Sequence, residues 1–359
     1  MRKFILSTCF FIVPFLALYT FNIFIYSPRG AEGDLARMGY LYSNPSPSSL
    51  INSQYNLPKE YILISEINIT SNKNNPDVMT IGDSFSEQET LGYKNFLANK
   101  GIAVVHVDRG ISGGNPIQTL VALTNSDLFD FIKPKYVVLQ SIEREINART
   151  TNIDFNARIE NINFYNPKGS KPIPNNINES EVENPNHNLS FFSDATLKMP
   201  LNNFLYLFID KPLSSNTYKV KSTSSNLFSN NPDNILFYKN DLRKLDTKND
   251  SLKTLNSINI LNKLNELLSK KSIELIVLVS PDKYDLYYPY IQNKSSYMKP
   301  TFFSTYEKTE KKYHNIDTYR VLSSKLVNEP DIYYYDDTHW SPKGAKIVAE
   351  EIFDRIKKR

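Results

Sequence analysis

The chain has 359 residues, enough for one large α/β domain with an insertion or for two modest domains. Hydrophobic residues make up 40% and aromatic residues 13%, so the chain can bury a sizeable core and is not disordered as a whole. The formal net charge of +4 reflects 42 basic and 38 acidic residues, which argues against a nucleic-acid partner, and the single cysteine excludes an intrachain disulfide.

The first predicted element is an uncharged apolar stretch over residues 4–26, preceded by two cations. A helix of that length spans the ~30 Å hydrocarbon core of a bilayer at ~1.5 Å per residue. A cleaved signal peptide is the alternative, but the stretch is long and no clean cleavage site follows it. The cations favour a cytoplasmic N-terminus. We therefore expect residues 1–30 to be a single-pass anchor in the inner (cytoplasmic) membrane, with residues 31–359 in the periplasm or cell exterior.

Short strands and helices alternate after residue 76. The predicted strands cover residues 78–81, 102–107 and 136–139, and the predicted helices cover residues 86–100 and 116–132. The first helix is expected to begin with Ser86 as N-cap of a capping box, with Glu89 three residues later, and to stop at Gly101. The second is expected to begin at Pro116.

The regular pattern breaks at about residue 151. Residues 151–235 are rich in Asn and Pro and lack periodicity, which is typical of an insertion or lid. Apolar residues then fall on one helical face over residues 252–268. A fourth strand is predicted at residues 273–279, a fifth at 332–335, and a last helix begins with Ser341 as N-cap. This alternation predicts an α/β fold with a five-stranded parallel sheet covered on both faces.

Polar segments follow three of the predicted strands. Gly82-Asp83-Ser84 follows the first strand, residues 108–114 with three of the chain's 11 glycines follow the second, and Asp336-Asp337-Thr338-His339 follows the last. Each segment by itself also fits an ordinary strand-to-helix loop. Because the carboxyl ends of parallel strands meet at one edge of a sheet, the three segments are expected to converge there.

The residue types in these segments suit acyl transfer. A serine at the start of a helix lies near backbone N–H groups that can stabilise an oxyanion, and glycine lets backbone approach a ligand. A histidine serves as base for the serine when a carboxylate fixes its tautomer. We therefore hypothesise Ser84 as nucleophile and His339 as its base. Ser86 is the alternative nucleophile, and His106, inside the second predicted strand, is expected to be packed.

These segments resemble the SGNH (GDSL) hydrolases. Gly82-Asp83-Ser84 is similar to their block I, and residues 109–113 are similar to their second block. The first glycine of that block donates an oxyanion-hole N–H, a role that the resemblance gives to Gly110. The resemblance implies a flavodoxin-like three-layer fold.

Three further segments resemble periplasmic SGNH-like alginate O-acetyltransferases. Residues 337–340, Asp-Thr-His-Trp, are similar to the last block of those enzymes, and residues 139–144 and 280–284 are similar to other segments of them. The Asp-x-His-Trp pattern selects Asp337 as the residue that orients the histidine, whereas the common Asp-x-x-His spacing selects Asp336. We favour Asp337.

The chain departs from these patterns in two ways. SGNH hydrolases usually carry an oxyanion-donating Asn in block III, where this chain has Glu143-Arg144, so Arg144 is the candidate donor. The alginate enzymes place the Asp-x-His element before the serine, whereas Ser84 here precedes His339. The resemblance is therefore to the wider group of polysaccharide acetyltransferase-like proteins.

The resemblance implies an O-acyltransferase, O-acetyl in particular, that acts on an exported polysaccharide through a Ser-His-Asp acyl-enzyme. The alternatives are a carbohydrate esterase with the same triad and a non-catalytic polysaccharide-binding export component. The expected partners are the polysaccharide acceptor and a multipass membrane acyltransferase that delivers the acyl group. No cofactor is expected, and no metal, because the 4 histidines are scattered without ligand spacing.

Overall fold

A computed structural model describes residues 1–25, 33–39, 47–55, 57–67, 75–159, 194–230, 233–326 and 328–358. The strands are β1 (Ile62–Leu63), β2 (Val78–Ile81), β3 (Val104–Val107), β4 (Tyr136–Ile142), β5 (Thr217–Lys221), β6 (Asn234–Tyr238), β7 (Glu274–Ser280) and β8 (His314–Ile316). The helices are α1 (Arg2–Ile25), α2 (Asp34–Arg37), α3 (Pro47–Asn52), α4 (Tyr93–Ala98), α5 (Arg109–Ser112), α6 (Pro116–Asn125), α7 (Leu128–Phe131), α8 (Glu143–Arg149), α9 (Asp194–Leu205), α10 (Lys239–Arg243), α11 (Leu245–Lys248), α12 (Ser251–Ser269), α13 (Lys283–Tyr287), α14 (Phe302–Tyr306), α15 (Thr318–Leu326) and α16 (Pro342–Lys357).

Six strands form one parallel sheet in the order β1-β3-β2-β4-β7-β8. The predicted α/β class is confirmed, but the prediction of five strands was wrong because the sheet has six. From β3 onward the order follows the 2-1-3-4-5 pattern of flavodoxin-like doubly wound sheets, with β1 added at the edge. In that pattern the chain reverses direction across the sheet between β2 and β4, and ligands bind beyond the carboxyl ends of such strands.

β8 was not predicted, and the strand predicted at residues 332–335 does not form. Both differences depend on where the backbone N–H and carbonyl groups find hydrogen-bond partners. β8 is three residues long and begins His-Asn, so it gave no apolar signal. Residues 332–335 are buried but are not a strand; they make only an isolated bridge, Tyr333 to Trp340. The last two carbonyls of that segment accept hydrogen bonds from the Lys283 ammonium at 2.7 Å each, in place of a neighbouring strand.

Hydrophobic side chains cover both faces of the sheet. Successive strand residues such as Val78 and Met79 are fully buried but belong to two different hydrophobic clusters. The α12 face predicted from its apolar spacing packs into one cluster through Ile258, Leu261, Leu264 and Leu268. α16 packs into the other cluster. The molecule therefore has helices on both sides of the sheet, with cores between the layers.

The segment after β2 differs from the expected helix over residues 86–100. Asp83 caps a short 3-10 turn over Ser84–Ser86, where its carboxylate accepts the Phe85 N–H at 3.1 Å. The N-cap of α4 is Gly92, so the prediction of Ser86 as N-cap was wrong. Ser86 is fully buried, and its hydroxyl lies 3.0 Å from the hydroxyl of Tyr93, where α4 begins. Gly101 follows the helix with a φ of +81°, as expected for its stop. The helix expected over residues 116–132 is likewise divided, into α6 and α7.

The predicted insertion is partly integrated into the core. Residues 160–193 lie outside the described residues. The remainder includes α9 and the antiparallel pair β5–β6, and Val220, Leu227, Phe228 and Ile235 are buried in the same hydrophobic cluster as α16. Part of the predicted insertion therefore contributes to the hydrophobic core.

α1 is an exposed apolar helix. Its section Arg2–Thr20 has a mean hydropathy of 1.7, and among the described residues it is the helix long and apolar enough to cross a membrane. The same length and composition also occur in signal sequences.

Candidate active site

The structure brings Ser84, His339 and Asp337 into one hydrogen-bonded chain at the carboxyl edge of the sheet. The Ser84 hydroxyl lies 2.8 Å from Nε2 of His339, and Nδ1 of His339 lies 2.6 Å from Oδ1 of Asp337. The backbone N–H of His339 donates to the same carboxylate oxygen at 2.9 Å. With Nδ1 protonated and bonded to Asp337, Nε2 is left to accept the serine proton, the arrangement that activates a serine nucleophile.

Ser84 is positioned by its neighbour Asp83. The Asp83 carboxylate accepts the N–H of Phe85, the N–H of Ile142 at 2.7 Å, and Nη1 of Arg149 at 2.5 Å. Burial alone would raise the pKa of Asp83, but the Arg149 charge and these hydrogen bonds lower it below its usual value. The ionised carboxylate therefore joins the ends of β2 and β4 at the point where the sheet order reverses.

Aromatic packing holds the histidine. The Phe85 ring centroid lies 4.6 Å from that of His339 and 4.9 Å from that of Trp340, edge-on in the second case. Trp340 is fully buried, and its carbonyl accepts Nε2 of Gln88 at 2.7 Å. Because Phe85 follows Ser84 and Trp340 follows His339, this packing fixes the nucleophile and the base relative to each other.

The site favours ionised Asp337 and a basic imidazole. Burial would raise the pKa of Asp337, but the charge and hydrogen bonds of His339 lower it far below its usual value. Burial would lower the pKa of His339, yet the Asp337 carboxylate outweighs it and raises that pKa above 6.5. A histidine made more basic in this way is a stronger proton acceptor once it is neutral.

The neighbouring Asp336 has a different partner. Its carboxylate accepts the Ser48 hydroxyl, and its backbone carbonyl accepts the N–H of Leu35 at 3.0 Å. Burial raises the pKa of Asp336 to about 6, opposed by the Ser48 hydrogen bond and assisted by the Asp337 charge. Of the two aspartates left open by the sequence, the structure pairs Asp337 with His339.

Asp34 contacts the site and was not identified from the sequence. Its carboxylate accepts both the N–H and the hydroxyl of Thr338, at 2.9 and 2.8 Å, and its own N–H donates to Asp337 at 3.2 Å. Burial, with the Asp337 charge, raises the pKa of Asp34. Some 300 residues separate Asp34 from this loop, so no local sequence pattern connects them. The only signal in the sequence is the adjacent glycine, Gly33, which adopts a left-handed conformation with φ of +65° in the structure.

A cavity of about 910 Å³ opens beside Ser84 and His339. Its walls come from the loop after β2, from α3 and from the loop that carries Asp337. Polar side chains dominate: the lining residues are Gly33, Ser48, Asn52, Ser53, Tyr55, Ser84, Glu87, Gln88, Glu89, Thr90, Leu91, Tyr334, Asp337 and His339. The wall therefore offers polar groups that can hydrogen-bond the hydroxyls of a ligand.

Residues 232–359 match the family model of the SGNH hydrolase-like domain, acetyltransferase AlgX. The resemblance to SGNH acetyltransferases is thereby confirmed over these residues. The match contains His339 and Asp337, whereas Ser84 lies before it. The chain has no significant match among curated proteins or among solved structures.

The SGNH resemblance directs attention to two backbone N–H groups. In the part of the chain that the structure describes, neither the N–H of Ser84 nor that of Gly110 has a hydrogen-bond acceptor. Gly110 lies in α5, at the carboxyl end of β3, the strand next to β2. Both groups are thus free to donate to a ligand, and the oxyanion role of Gly110 stays a prediction.

Arg144, the other SGNH-based candidate, is engaged elsewhere. Its Nη1 donates to Asp282 at 2.6 Å and to Asp241 at 3.1 Å, and its guanidinium lies over the Tyr238 ring. Among the described residues it makes no hydrogen bond to Ser84 or to the imidazole. Its role as a donor therefore stays a prediction without a direct contact.

In the part of the chain that the structure describes, two groups of side chains lie close enough together to hold a cation: Asp34, Asp337 and His339, and Glu143, Asp282 and Asp285. In the first group, the imidazole and the Asp337 carboxylate bond to each other. In the second, the Lys248 ammonium lies among the carboxylates, 2.7 Å from Asp282. Lys248 supplies the positive charge that the second cluster needs.

Proposed function

We propose that the protein is an O-acyltransferase, O-acetyl in particular, that modifies an exported polysaccharide through an acyl-enzyme on Ser84. The hydrogen-bonded chain from Ser84 through His339 to Asp337 is the observation that carries this proposal. The match of residues 232–359 to an acetyltransferase-type SGNH domain supports transfer as the reaction.

In the first step, Nε2 of His339 takes the Ser84 proton as Oγ bonds to the acyl carbonyl carbon. The carbonyl oxygen becomes a tetrahedral oxyanion, to which the N–H groups of Ser84 and Gly110 donate. Each such donor contributes roughly 2.7–4 kcal/mol to transition-state stabilisation. The oxyanion collapses, the bond to the donor's leaving oxygen or sulfur breaks, and the protonated imidazole returns its proton to that leaving group.

In the second step, a sugar hydroxyl in the polar cavity attacks the acyl-serine. His339 takes the hydroxyl proton, a second oxyanion forms, and Ser84 leaves with that proton. The product is an O-acyl sugar and free enzyme. Asp337 holds the imidazole in the required tautomer and stabilises its cationic form in both steps.

The location and the partner belong to the same proposal. α1 would anchor the protein in the cytoplasmic membrane, with residues 31–359 as a catalytic domain in the periplasm or cell exterior. A multipass membrane acyltransferase would supply the acyl group. The apolar composition of α1 supports the anchor, and Arg2 and Lys3 at its N-terminal end support this orientation.

A carbohydrate esterase is the second candidate. Ser84 is half-buried and lines the large polar cavity, so water can reach an acyl group bound to it. The same three side chains would then hydrolyse the ester, and only the acceptor would differ.

The first test is hydrolysis of an activated acetyl ester by the full chain, with Ser84→Ala as the variant. The expected loss is about three orders of magnitude or more, as for removal of the nucleophile in serine hydrolases. Ser86→Ala is the matched control, because Ser86 is two residues away but hydrogen-bonds inside the core. It is expected to retain activity, and trapped acetyl should be found on Ser84 by mass spectrometry.

The outcomes separate the readings. A rate unaffected by Ser84→Ala would remove Ser84 as nucleophile. An acetyl-Ser84 species that is consumed faster when oligosaccharide is added supports transfer, whereas consumption indifferent to sugar supports the esterase. Absence of any acetyl-Ser84 with both donors and sugars present would favour a non-catalytic polysaccharide-binding component.

A further inference from the structure

Residues 201–213 form an apolar surface that has no role in the proposed reaction. Six large hydrophobic side chains within 13 residues are 45–101% exposed. They define the apolar ridge: Leu201, Phe204, Leu207, Phe208, Ile209 and Leu213. A soluble surface rarely exposes so many large apolar groups together unless it binds something.

The ridge is held by an ordered base. The buried Tyr206 hydroxyl lies 2.6 Å from the carbonyl of Thr217 at the start of β5, and Ser214 donates to Asn202 at 2.5 Å. Asn202 and Tyr206 are therefore buried at the base of the segment, while its large apolar residues face outward. A surface in contact with water usually buries its large apolar side chains, so this arrangement is unusual for a solvated surface.

The base of the ridge is bonded to the segment that follows α1. The Thr217 hydroxyl donates to the carbonyl of Leu35 at 2.8 Å, and the Asn216 N–H donates to that of Met38 at 3.1 Å. Gly33, where this segment begins, is eight residues beyond Ile25, the end of α1. Eight residues reach at most about 29 Å, so an α1 that spans a bilayer keeps the ridge near its surface. α9 also contacts α1.

Cations lie beside the ridge. The Lys239 ammonium donates to Asn216, next to the base of the ridge, at 2.7 Å. Burial lowers the pKa of Lys239, and the charges of Arg243, Lys211 and Lys198 lower it further. The one acidic residue among residues 201–213, Asp210, accepts a hydrogen bond from Tyr297. Lysine and arginine beside exposed aromatic and aliphatic side chains form a surface suited to anionic headgroups and the acyl chains beneath them.

We infer that the apolar ridge inserts into the lipid bilayer on the side where the exported domain lies. The inference rests on the proposed anchoring by α1 and adds a second, peripheral contact. Because residues 33–39 bond both to the base of the ridge and, through Asp34, to the Asp337 loop, this contact also sets the orientation of the candidate active site relative to the membrane. A membrane-borne acyl donor is the substrate that such an orientation serves.

The chain offers a direct test because Trp340 is its only tryptophan and is fully buried. Phe208→Trp, and Phe204→Trp as a second reporter, would be placed in the full chain and reconstituted into vesicles that contain anionic lipid. Phospholipids brominated at shallow acyl positions quench an indole that enters about 5–10 Å into the interface. Phe131→Trp is the matched control, since Phe131 is 59% exposed on α7, outside the ridge.

Loss of emission from the ridge reporters with brominated lipid, but not from Phe131→Trp or the native chain, supports insertion. If the emission of the ridge reporters is not quenched by brominated lipid, the inference is overturned. Quenching by acrylamide would then show that the ridge is exposed to water, and protection from acrylamide would show that protein covers it. Ester hydrolysis by the same samples is read separately, so failure of docking does not resemble failure of the catalytic proposal.

Discussion

Asp336 and Asp337 are adjacent in sequence, yet their surroundings give the two carboxylates different chemistry. Asp337 is bonded to the imidazole and stays ionised, whereas Asp336 faces Ser48 and has a pKa of about 6. We expect Asp337→Asn to lower kcat/KM for an activated ester by about 10⁴-fold, as loss of the orienting carboxylate does in serine hydrolases. Asp336→Asn, the matched control one residue away, is expected to change it little; equal losses would contradict the assignment.

The pH dependence of the same reaction is a second readout at the residue scale. Only neutral His339 can accept the Ser84 proton, and its pKa is raised above 6.5 by Asp337. The rate should therefore rise with pH through an apparent pKa above 6.5. In Asp337→Asn the residual rate should rise at lower pH, because the carboxylate that favours the cation is gone. A midpoint that does not move would show that His339 is not the titrating group.

The sequence predicted those site residues that belong to a recognisable local sequence pattern. Ser84 and the His339 segment each follow an apolar run, and a parallel sheet brings such segments to one edge. Asp34 has no such signal, since its partner Thr338 is about 300 residues away and only the folded chain brings them together. Arg144 is a different case: its place in block III could be identified from the sequence, but its ion pairs with Asp241 and Asp282 could not, and its role as a donor stays a prediction.

At the scale of elements, α2 docks on the loop of the candidate triad through a left-handed residue. An added Cβ on Gly33 would lie 2.5 Å from the backbone oxygen of Asp336, and φ there is +65°. Gly33→Ala should therefore push α2 away from the loop and lower kcat/KM. It should also lower the free energy of unfolding by about 1–2 kcal/mol, the cost of a left-handed alanine. Hydrolysis and chemical denaturation of the same variant would measure both effects.

Gly101→Ala is the matched control for that variant. Its φ is +81°, but no atom lies within 4 Å of an added Cβ. We expect it to show the backbone cost in the free energy of unfolding and no loss of kcat/KM. If Gly33→Ala behaves the same way, α2 does not position the site.

Predicted elements matched the structure where packing against the sheet requires apolar side chains at regular intervals along the sequence. The leucines of α12 repeat because one helix face meets the sheet, and their spacing alone located the helix. Residues 332–335 have the composition of a buried strand, but Lys283 satisfies their carbonyls, so burial without a neighbouring strand misled the prediction. The residues around β5 and β6 gave too short an apolar signal to show that they complete the core.

Across the whole molecule the charges are unevenly distributed. The chain carries a net charge of +4, yet among the described residues the cavity beside Ser84 is lined by Glu87, Glu89 and Asp337 and by no lysine or arginine. The Lys94 ammonium lies 3.9 Å from Glu87, and the His106 imidazole lies 3.1 Å from it but stays neutral because burial lowers the His106 pKa. Glu89 has no ion pair among the described residues. Carboxylates on this wall would repel polyuronates, so we predict a preference for neutral or cationic sugars.

We therefore expect acetyl transfer to neutral oligosaccharides to exceed transfer to uronate oligomers of equal length. Like charges ~8 Å apart in water repel by roughly 0.5 kcal/mol, about a twofold effect for each pair. Transfer to uronates should rise with ionic strength as salt screens this repulsion, while transfer to neutral sugars should not. Glu89→Gln should narrow the difference at low salt. Uronates that react faster than neutral sugars at low salt, and slow down as salt is added, would show instead that an attractive cationic surface outside this cavity selects the polymer.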